Sequence, residues 1–345
     1  MSKTDKLKSY NPSGVGSSDS LYGLPFNFEE SKVIILPVPW DVTVSYGYGT
    51  HEAPERILEA SAQVDLYDFD NPDAWESGIY MLDISEEIKA SSHMNRAKAS
   101  EIIKYQEKDG NVLENAVLQQ NLQEVNDASA EMNKWVFEQC TAIINRDKIV
   151  GLLGGDHSTP LGYLTALANK YENFGILQID AHADLRNAYE GFTYSHASIM
   201  YNALNEIKNI SKLIQVGVRD ICHEEVDFIN NSKGRVVAYF DPFLKEQAYL
   251  GKHWNSICEH IIKDLPQHVY ISYDIDGLDP KLCPGTGTPV AGGLEVEMVN
   301  YLIGKVKESG RKIIGFDLVE VGTSEWDANV GARVLYKLCN LASID

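Results

Sequence analysis

Three short apolar runs, each followed by carboxylate or histidine residues, constrain the fold of this chain more than any other feature. They occupy residues 149–153, 174–179 and 269–273, and each is almost continuously apolar. Runs of this length are typical of strands in a parallel sheet whose two faces are both covered by helices. The sequence therefore predicts a three-layer α/β/α fold with a mostly parallel central sheet. Open sheets of this kind bind ligands at the carboxyl ends of their strands.

Side chains that can bind metal ions follow each run. Residues 180–184 read Asp-Ala-His-Ala-Asp, residues 274–276 read Asp-Ile-Asp, and a Gly-Gly-Asp-His turn follows the first run. In extended backbone every second side chain points to the same side. We therefore expect six donors to converge, namely His157, Asp180, His182, Asp184, Asp274 and Asp276.

Charge determines what these donors can hold. Four carboxylates at close range cannot all stay ionised without cations, because each raises the pKa of the others. Two divalent ions would neutralise them, and a mixture of carboxylate and imidazole without thiolate favours Mn²⁺, with Ni²⁺, Co²⁺ or Fe²⁺ as alternatives. A water between two such ions ionises near neutral pH, which makes hydrolysis the natural chemistry. A single such cluster is more often a turn or a helix cap, but three clusters at strand ends favour metal binding.

These motifs closely resemble those of the ureohydrolase family, which includes arginase, agmatinase, guanidinobutyrase and formimidoylglutamase. The resemblance spans residues 33–342 and is carried by residues 154–158, 180–184, 272–280, 284–293 and 317–321. It implies an arginase-like fold and two Mn²⁺ ions per chain. One ion would be held by His157, Asp180, Asp184 and Asp274, and the other by His182, Asp180, Asp274 and Asp276, with Asp180 and Asp274 bridging.

The resemblance also implies catalytic roles for three residues. His196 matches the family histidine that shuttles protons, Glu320 matches the carboxylate that holds the substrate guanidinium, and Asp184 would accept a proton from the attacking hydroxide. A carboxylate is the natural bidentate partner of a planar guanidinium. Taken without the resemblance, His196 reads equally as a helix N-terminal residue beside Ser195, and Glu320 as a surface charge at a strand end.

The substrate implied by the resemblance is a guanidino compound, which would give urea and an amine. Residues 185–191 differ from the loop by which arginases recognise an amino acid, and the Ser-His-Ala at 195–197 resembles agmatinases. Agmatine, which would give putrescine, is therefore the favoured substrate. Arg186 could instead pair with a substrate carboxylate, which would suit guanidinobutyrate. Free guanidine, arginine and formimidoylglutamate are the other candidate substrates. A catalytically silent regulatory protein would lack a metal ligand or Glu320, and all are present.

Composition limits partners and compartment. Acidic residues outnumber basic ones 50 to 30, and the net charge of −20 argues against a nucleic-acid partner and modestly favours a cationic substrate. Five scattered cysteines without a paired motif argue against a disulfide framework and fit a reducing compartment. The sequence has no apolar leader and no run long enough to span a membrane, so we expect a cytoplasmic protein.

Chain organisation follows from periodicity. Residues 1–30 lack helical or strand periodicity and are expected to form an N-terminal arm, followed by a single α/β domain over residues 31–345. The polar segment at 84–115 is helix-prone and longer than the family would require. An apolar stripe from 118 to 143 predicts an amphipathic helix that packs on the core. The resemblance implies a homotrimer or homohexamer, with the arm packing on a neighbouring subunit.

Overall fold

A computed structural model of the chain describes residues 2–344, and these form an eight-stranded, all-parallel sheet. The strand order is β2-β1-β3-β8-β7-β4-β5-β6. The predicted parallel sheet is therefore confirmed. The strands are β1 (Val33–Val38), β2 (Ile79–Met81), β3 (Ile149–Gly154), β4 (Phe174–Ile179), β5 (Ile210–Val216), β6 (Val236–Tyr239), β7 (His268–Asp274) and β8 (Lys312–Val319).

Helices cover both faces of this sheet, as the apolar strands require. One core lies between the sheet and α2, α9, α10 and α11, and the other lies between the sheet and α3, α4, α5 and α6. The helices are α1 (Lys3–Ser9), α2 (Ala53–Ser61), α3 (Glu86–Gln106), α4 (Ala116–Ile144), α5 (Leu161–Lys170), α6 (Ile199–Glu206), α7 (His223–Asn231), α8 (Asp241–Tyr249), α9 (Trp254–Ile262), α10 (Val296–Glu308) and α11 (Glu325–Ser343).

The helices predicted from periodicity lie close to their expected positions. The amphipathic stripe corresponds to α4, in which Val125, Met132 and Val136 are buried in the core. The polar segment at 84–115 contains α3 and a short 3₁₀ turn. Sequence reasoning missed β2 and α8, because both are short and neither has a long periodic pattern.

The N-terminal segment differs from the prediction. A helix runs over Lys3–Ser9, and the Ser2 hydroxyl accepts the Asp5 N–H at 3.2 Å. Leu21 and Tyr22 are buried, and the Tyr22 hydroxyl donates to the Ala332 carbonyl at 2.8 Å. Tyr22 therefore packs on α11 of its own chain, and the packing of the arm on a neighbouring subunit stays a prediction. The division into an arm and one domain stays a prediction.

The four central strands of the sheet place the functional residues. In space β3, β8, β7 and β4 are consecutive, so the loops after them meet at one edge. Across residues 2–344, no helix combines the length and the apolar character that crossing a bilayer demands.

Candidate active site

The predicted metal ligands converge at the carboxyl ends of β3, β4 and β7. His157, Asp180 and Asp274 form one group that could hold a metal ion, and Asp180, His182 and Asp276 form a second. Within each group the ligand atoms all lie within 4.8 Å of one another. Asp180 belongs to both groups, which is the position of a bridging carboxylate.

The first group is built around the imidazole of His157. Its Nδ1 atom lies 3.0 Å from Asp180 Oδ2, 2.9 Å from Asp184 Oδ2 and 3.3 Å from Asp274 Oδ2. His157 and Asp180 are almost fully buried. Three carboxylate oxygens thus lie within 3.3 Å of one imidazole nitrogen, which brings together the four residues that the resemblance implied for the first ion.

The second group is built around His182. Its Nδ1 atom lies 3.0 Å from Asp276 Oδ2 and 3.6 Å from Asp180 Oδ1. Asp180 therefore turns one oxygen to each histidine. Asp274 turns Oδ2 to His157, while its Oδ1 accepts the backbone N–H of Asp276 at 2.8 Å. Asp180 therefore lies between the two histidines, whereas Asp274 lies beside His157.

The backbone that brings these ligands together is extended at Asp274, the last residue of β7, but not at every ligand, so strand alternation explains their convergence only in part. The strand β4 ends at Ile179, Asp184 has a φ of 54°, and Asp276 lies in a 3₁₀ turn. Glu320, just after β8, has a φ of 60°. Left-handed backbone at a non-glycine residue costs about 1–3 kcal/mol and concentrates at functional sites. Tight turns, as well as strand alternation, aim these side chains.

The charges of the site call for cations. Burial and the neighbouring Asp180 raise the pKa of Asp184 to about 7, and burial with Asp276 raises the pKa of Asp274 well above its ordinary value. Burial lowers the pKa of His182, but Asp276 and Asp180 outweigh it and raise that pKa to about 12. Buried carboxylates this close need positive charge, either from protonated imidazoles or from divalent metal ions. The donor set therefore fits the predicted ions.

Neighbouring side chains orient His157 for metal binding. Its Nε2 lies 2.9 Å from the Ser272 hydroxyl, which donates to Asp317 Oδ2 at 2.9 Å. Because the single hydroxyl hydrogen goes to Asp317, the Ser272 oxygen accepts from Nε2–H and leaves the Nδ1 lone pair for a metal. The Tyr270 hydroxyl also donates to Asp317, at 2.7 Å. Sequence reasoning missed this network, although residues 270, 272 and 274 point to the same face of β7.

A cavity of about 500 Å³ opens above the metal ligands. Four of the predicted site residues line it, namely His182, Asp184, Arg186 and His196. The other four candidate ligands and Glu320 are not among the described residues that line it, and all five are nearly completely buried. The remaining lining residues are Ser45, Tyr46, Tyr189, Ala197, Asp220, Glu225, Thr288, Pro289 and Val290.

Glu320 is buried beside the metal ligands. Its Oε1 atom accepts the backbone N–H of His157 at 3.0 Å, while within residues 2–344 its Oε2 atom has no hydrogen-bond partner. Burial and the carboxylate of Asp156 raise the pKa of Glu320 well above its ordinary value. A Cβ atom at Gly287 would lie 2.9 Å from Oε2, so the loop at 284–293 covers this oxygen closely. One carboxylate oxygen is thus left for a cationic group.

His196 lines the cavity as a neutral imidazole. Burial, with the charges of His182 and His157, lowers its pKa to about 3. Its backbone N–H donates to the Thr43 hydroxyl at 3.3 Å. His196 also begins a 3₁₀ turn capped by Ser195, as expected for a residue at a helix N-terminus, and its proton-shuttle role stays a prediction.

Arg186 is partly neutralised by an acidic partner. Its Nε atom lies 3.9 Å from Glu225 Oε2, and its guanidinium lies over the Tyr189 ring, 4.9 Å from the centroid. Glu225 is buried and accepts the backbone N–H groups of Leu185 at 3.0 Å and of Cys222 at 3.1 Å. Asp220 adds a second carboxylate to the same cavity. Sequence reasoning missed both acids, which lie far from Arg186 along the chain.

His51, in the loop after β1, is also buried. Its Nδ1 lies 2.8 Å from Asp41 Oδ2, and Oδ2 also accepts the Gly49 N–H at 3.0 Å. This pair closes the loop after β1 into a compact turn. It belongs to neither of the candidate metal groups found in the described part of the chain.

Comparisons with known proteins agree with this geometry. A model of the Arginase family matches residues 31–340. The chain is 29% identical over 294 residues to the N(1)-aminopropylagmatine ureohydrolase of Thermus thermophilus, an alignment that covers 85% of this chain and 84% of the relative. It is also 29% identical over 295 residues to the agmatinase of Bacillus cereus, covering 86% and 85%.

Solved structures show the same fold. The agmatine ureohydrolase of Thermoplasma volcanium superimposes with a TM-score of 0.70 at 23% identity, covering 98% of this chain and 97% of that chain. At this identity the likeness bears on the arrangement of strands and helices alone.

Proposed function

Because this chain belongs to the Arginase family, whose members are hydrolases acting on amidines, we propose that it cleaves a guanidino compound to urea and a primary amine, with agmatine as the substrate. The putrescine released would be the second product. The observation that carries the proposal is the pair of His and Asp groups sharing Asp180 beneath a cavity with an acidic wall.

Two metal ions would be held by the six candidate ligands, and Mn²⁺ fits their chemistry, with Ni²⁺, Co²⁺ or Fe²⁺ as alternatives. Bound metals would supply a hydroxide at neutral pH and stabilise negative charge on the reacting group. Asp180 and Asp274 are the proposed bridging ligands. His157 and Asp184 would complete one site, and His182 and Asp276 the other.

The chain's own residues would position the substrate and move protons. Glu320 offers one unpartnered carboxylate oxygen to the guanidinium, where a charge-assisted hydrogen bond is strong. Asp184, on the cavity wall, would accept a proton as the guanidinium carbon is attacked. His196 is half-buried on the cavity wall, where it would relay a proton to the departing amine.

The cavity wall favours a substrate with a cationic tail. The charge of Arg186 is opposed by Glu225, and Asp220 leaves the wall with an excess of negative charge. A carboxylate tail would meet this excess, whereas the ammonium of agmatine would be attracted to it. The volume of about 500 Å³ also leaves room for a tail that free guanidine lacks. These observations favour agmatine over guanidinobutyrate and guanidine.

A longer polyamine tail is the second candidate. One relative is named for N(1)-aminopropylagmatine, which carries a further cationic segment, and the acidic wall would suit that segment for the same reason. Both candidates share the guanidinium chemistry and differ only in what fills the outer cavity.

A urea-release assay on metal-reconstituted protein tests the proposal. The substrates are agmatine, aminopropylagmatine, guanidinobutyrate, arginine and free guanidine, and Asp274→Ala serves as the inactive control. We expect kcat/KM for agmatine or aminopropylagmatine to exceed that for guanidinobutyrate by about tenfold or more, because opposite tail charges meet the same acidic wall. Urea release only from free guanidine, or from none of the five, would refute it.

A further inference from the structure

We infer that Arg96, on α3, is a positioning residue that holds the loop after β1 over the active site. This loop, the rim loop, comprises residues 41–51. The inference rests on the proposed function and assigns a role to the helix at 86–106, which the metal ligands and the cavity do not explain.

Arg96 binds the rim loop through its backbone. Its Nη1 atom donates to the carbonyl of Val42 at 3.0 Å and to that of Val44 at 2.6 Å. Its guanidinium also lies over the Tyr48 ring, 5.3 Å from the centroid. One side chain thus restrains three positions of the loop, and a guanidinium is suited to this because its several donors are fixed in one plane.

Two neighbours of Arg96 on the same helix reinforce the contact. The Ser92 hydroxyl accepts the backbone N–H of Asp41 at 3.4 Å. The His93 ring packs edge-on against the His51 ring, with centroids 4.8 Å apart. Residues one turn apart on a helix lie side by side, so α3 presents one continuous surface to both ends of the rim loop.

The restrained loop reaches the candidate catalytic residues directly. Thr43, between the two carbonyls that Arg96 holds, accepts the backbone N–H of His196 at 3.3 Å. Further along, the Gly47 N–H donates to the Gly287 carbonyl at 2.8 Å, and Gly287 covers the unpartnered oxygen of Glu320. Between these two contacts, Ser45 and Tyr46 line the cavity.

Arg96 therefore sets the position of one cavity wall, of the His196 backbone and of the cover over Glu320. It touches none of the candidate metal ligands in the contacts described for residues 2–344. Loss of Arg96 should thus loosen substrate binding and proton transfer while leaving the metals in place.

The test compares Arg96→Met with a matched variant on the same helix. Lys98→Met removes a cation that pairs with Glu124 on α4, away from the rim loop. For Arg96→Met, we expect kcat/KM on the best substrate to fall by roughly tenfold to hundredfold, through both a higher KM and a lower kcat, because two charged hydrogen bonds to the loop are lost. Arg96→Lys should lie between wild type and Arg96→Met. Lys98→Met should stay within about twofold of wild type.

Two measurements separate positioning from a general loss of structure. The metal content of Arg96→Met should match that of Lys98→Met, while chymotrypsin should cut faster after Tyr46 or Tyr48 in the loosened loop. Measuring the cleavage rate requires no guanidino substrate, so it tests the contact between Arg96 and the rim loop even if the wild-type protein releases no urea. Equal kinetics and equal cleavage in the two Met variants would overturn the inference. So would a loss of metal confined to Arg96→Met.

Discussion

Replacing Glu320 with glutamine should separate substrate binding from metal binding and from folding. Glutamine keeps the size of the side chain, and its amide oxygen can still accept the His157 N–H that Oε1 now accepts at 3.0 Å. The change therefore removes one negative charge and little else. Glu320 is not a proposed ligand, so the variant should still bind two metal ions per chain.

The magnitude of the activity loss follows from the single free oxygen. A hydrogen bond to a charged group contributes about 1.5–3 kcal/mol, and each 1.36 kcal/mol is tenfold in rate. The kcat/KM value for agmatine should therefore fall by roughly one to two decades.

The same substitution should not destabilise the free protein. Oε2 is buried and, among the residues at 2–344, has no hydrogen-bond partner, while the nearby Asp156 raises the pKa of Glu320 further. A buried polar group left unsatisfied costs about 1–3 kcal/mol. Removing the charge should leave the free energy of unfolding unchanged or raise it, which is the pattern expected where function and stability conflict.

The assay combines steady-state urea release, elemental analysis and thermal unfolding. Glu131→Gln, an exposed glutamate on α4, controls for the loss of one acidic charge. The reasoning fails if Glu320→Gln keeps full kcat/KM. It also fails if the variant loses its metal ions, or if its Tm falls by more than about 2 °C relative to the control.

Three further predictions follow from the site and the chain. Metal-reconstituted protein should hold two ions per chain. Asp274→Ala should lose activity and disturb both ions, whereas His157→Ala should retain one ion. Equal metal content in the two variants by elemental analysis would contradict the proposed bridging. Arg186→Ala should leave kcat/KM for agmatine unchanged or raise it, because Glu225 and Asp220 then face the substrate tail without an opposing cation. Equal losses of kcat/KM on agmatine and guanidinobutyrate would instead show that Arg186 has a structural role. Light scattering at micromolar concentration should show a homotrimer or homohexamer, and a monomer would refute that expectation.

Much of the fold can be read from consecutive residues. The apolar runs that precede the candidate ligands form strands β3, β4 and β7. The apolar stripe at 118–143 is the buried face of α4. Such patterns are local, because the alternation of a strand and the period of a helix repeat within a few residues. The candidate metal ligands were found in the same way, since each motif follows its strand directly.

The conformations at the site depended on the tertiary structure. Asp184 and Glu320 take left-handed backbone, and Asp276 lies in a 3₁₀ turn, although their motifs favoured extended chain. Strained conformations persist only when the surrounding packing holds them, so no pattern of neighbouring residues along the chain announces them.

Pairings between distant residues were equally hidden in the sequence. Glu225 opposes Arg186 from α7, and Arg96 grips the rim loop from α3, across 54 residues to Val42. From the sequence alone, Arg186 could be taken for a cation that binds a substrate carboxylate, and the helix at 86–106 had no evident role. The sequence by itself determined the strands that carry the ligands, the ligand types and the family. Which charges face each other was decided by the strand order and the loops, because contacts between distant residues exist only once the sheet has brought them together.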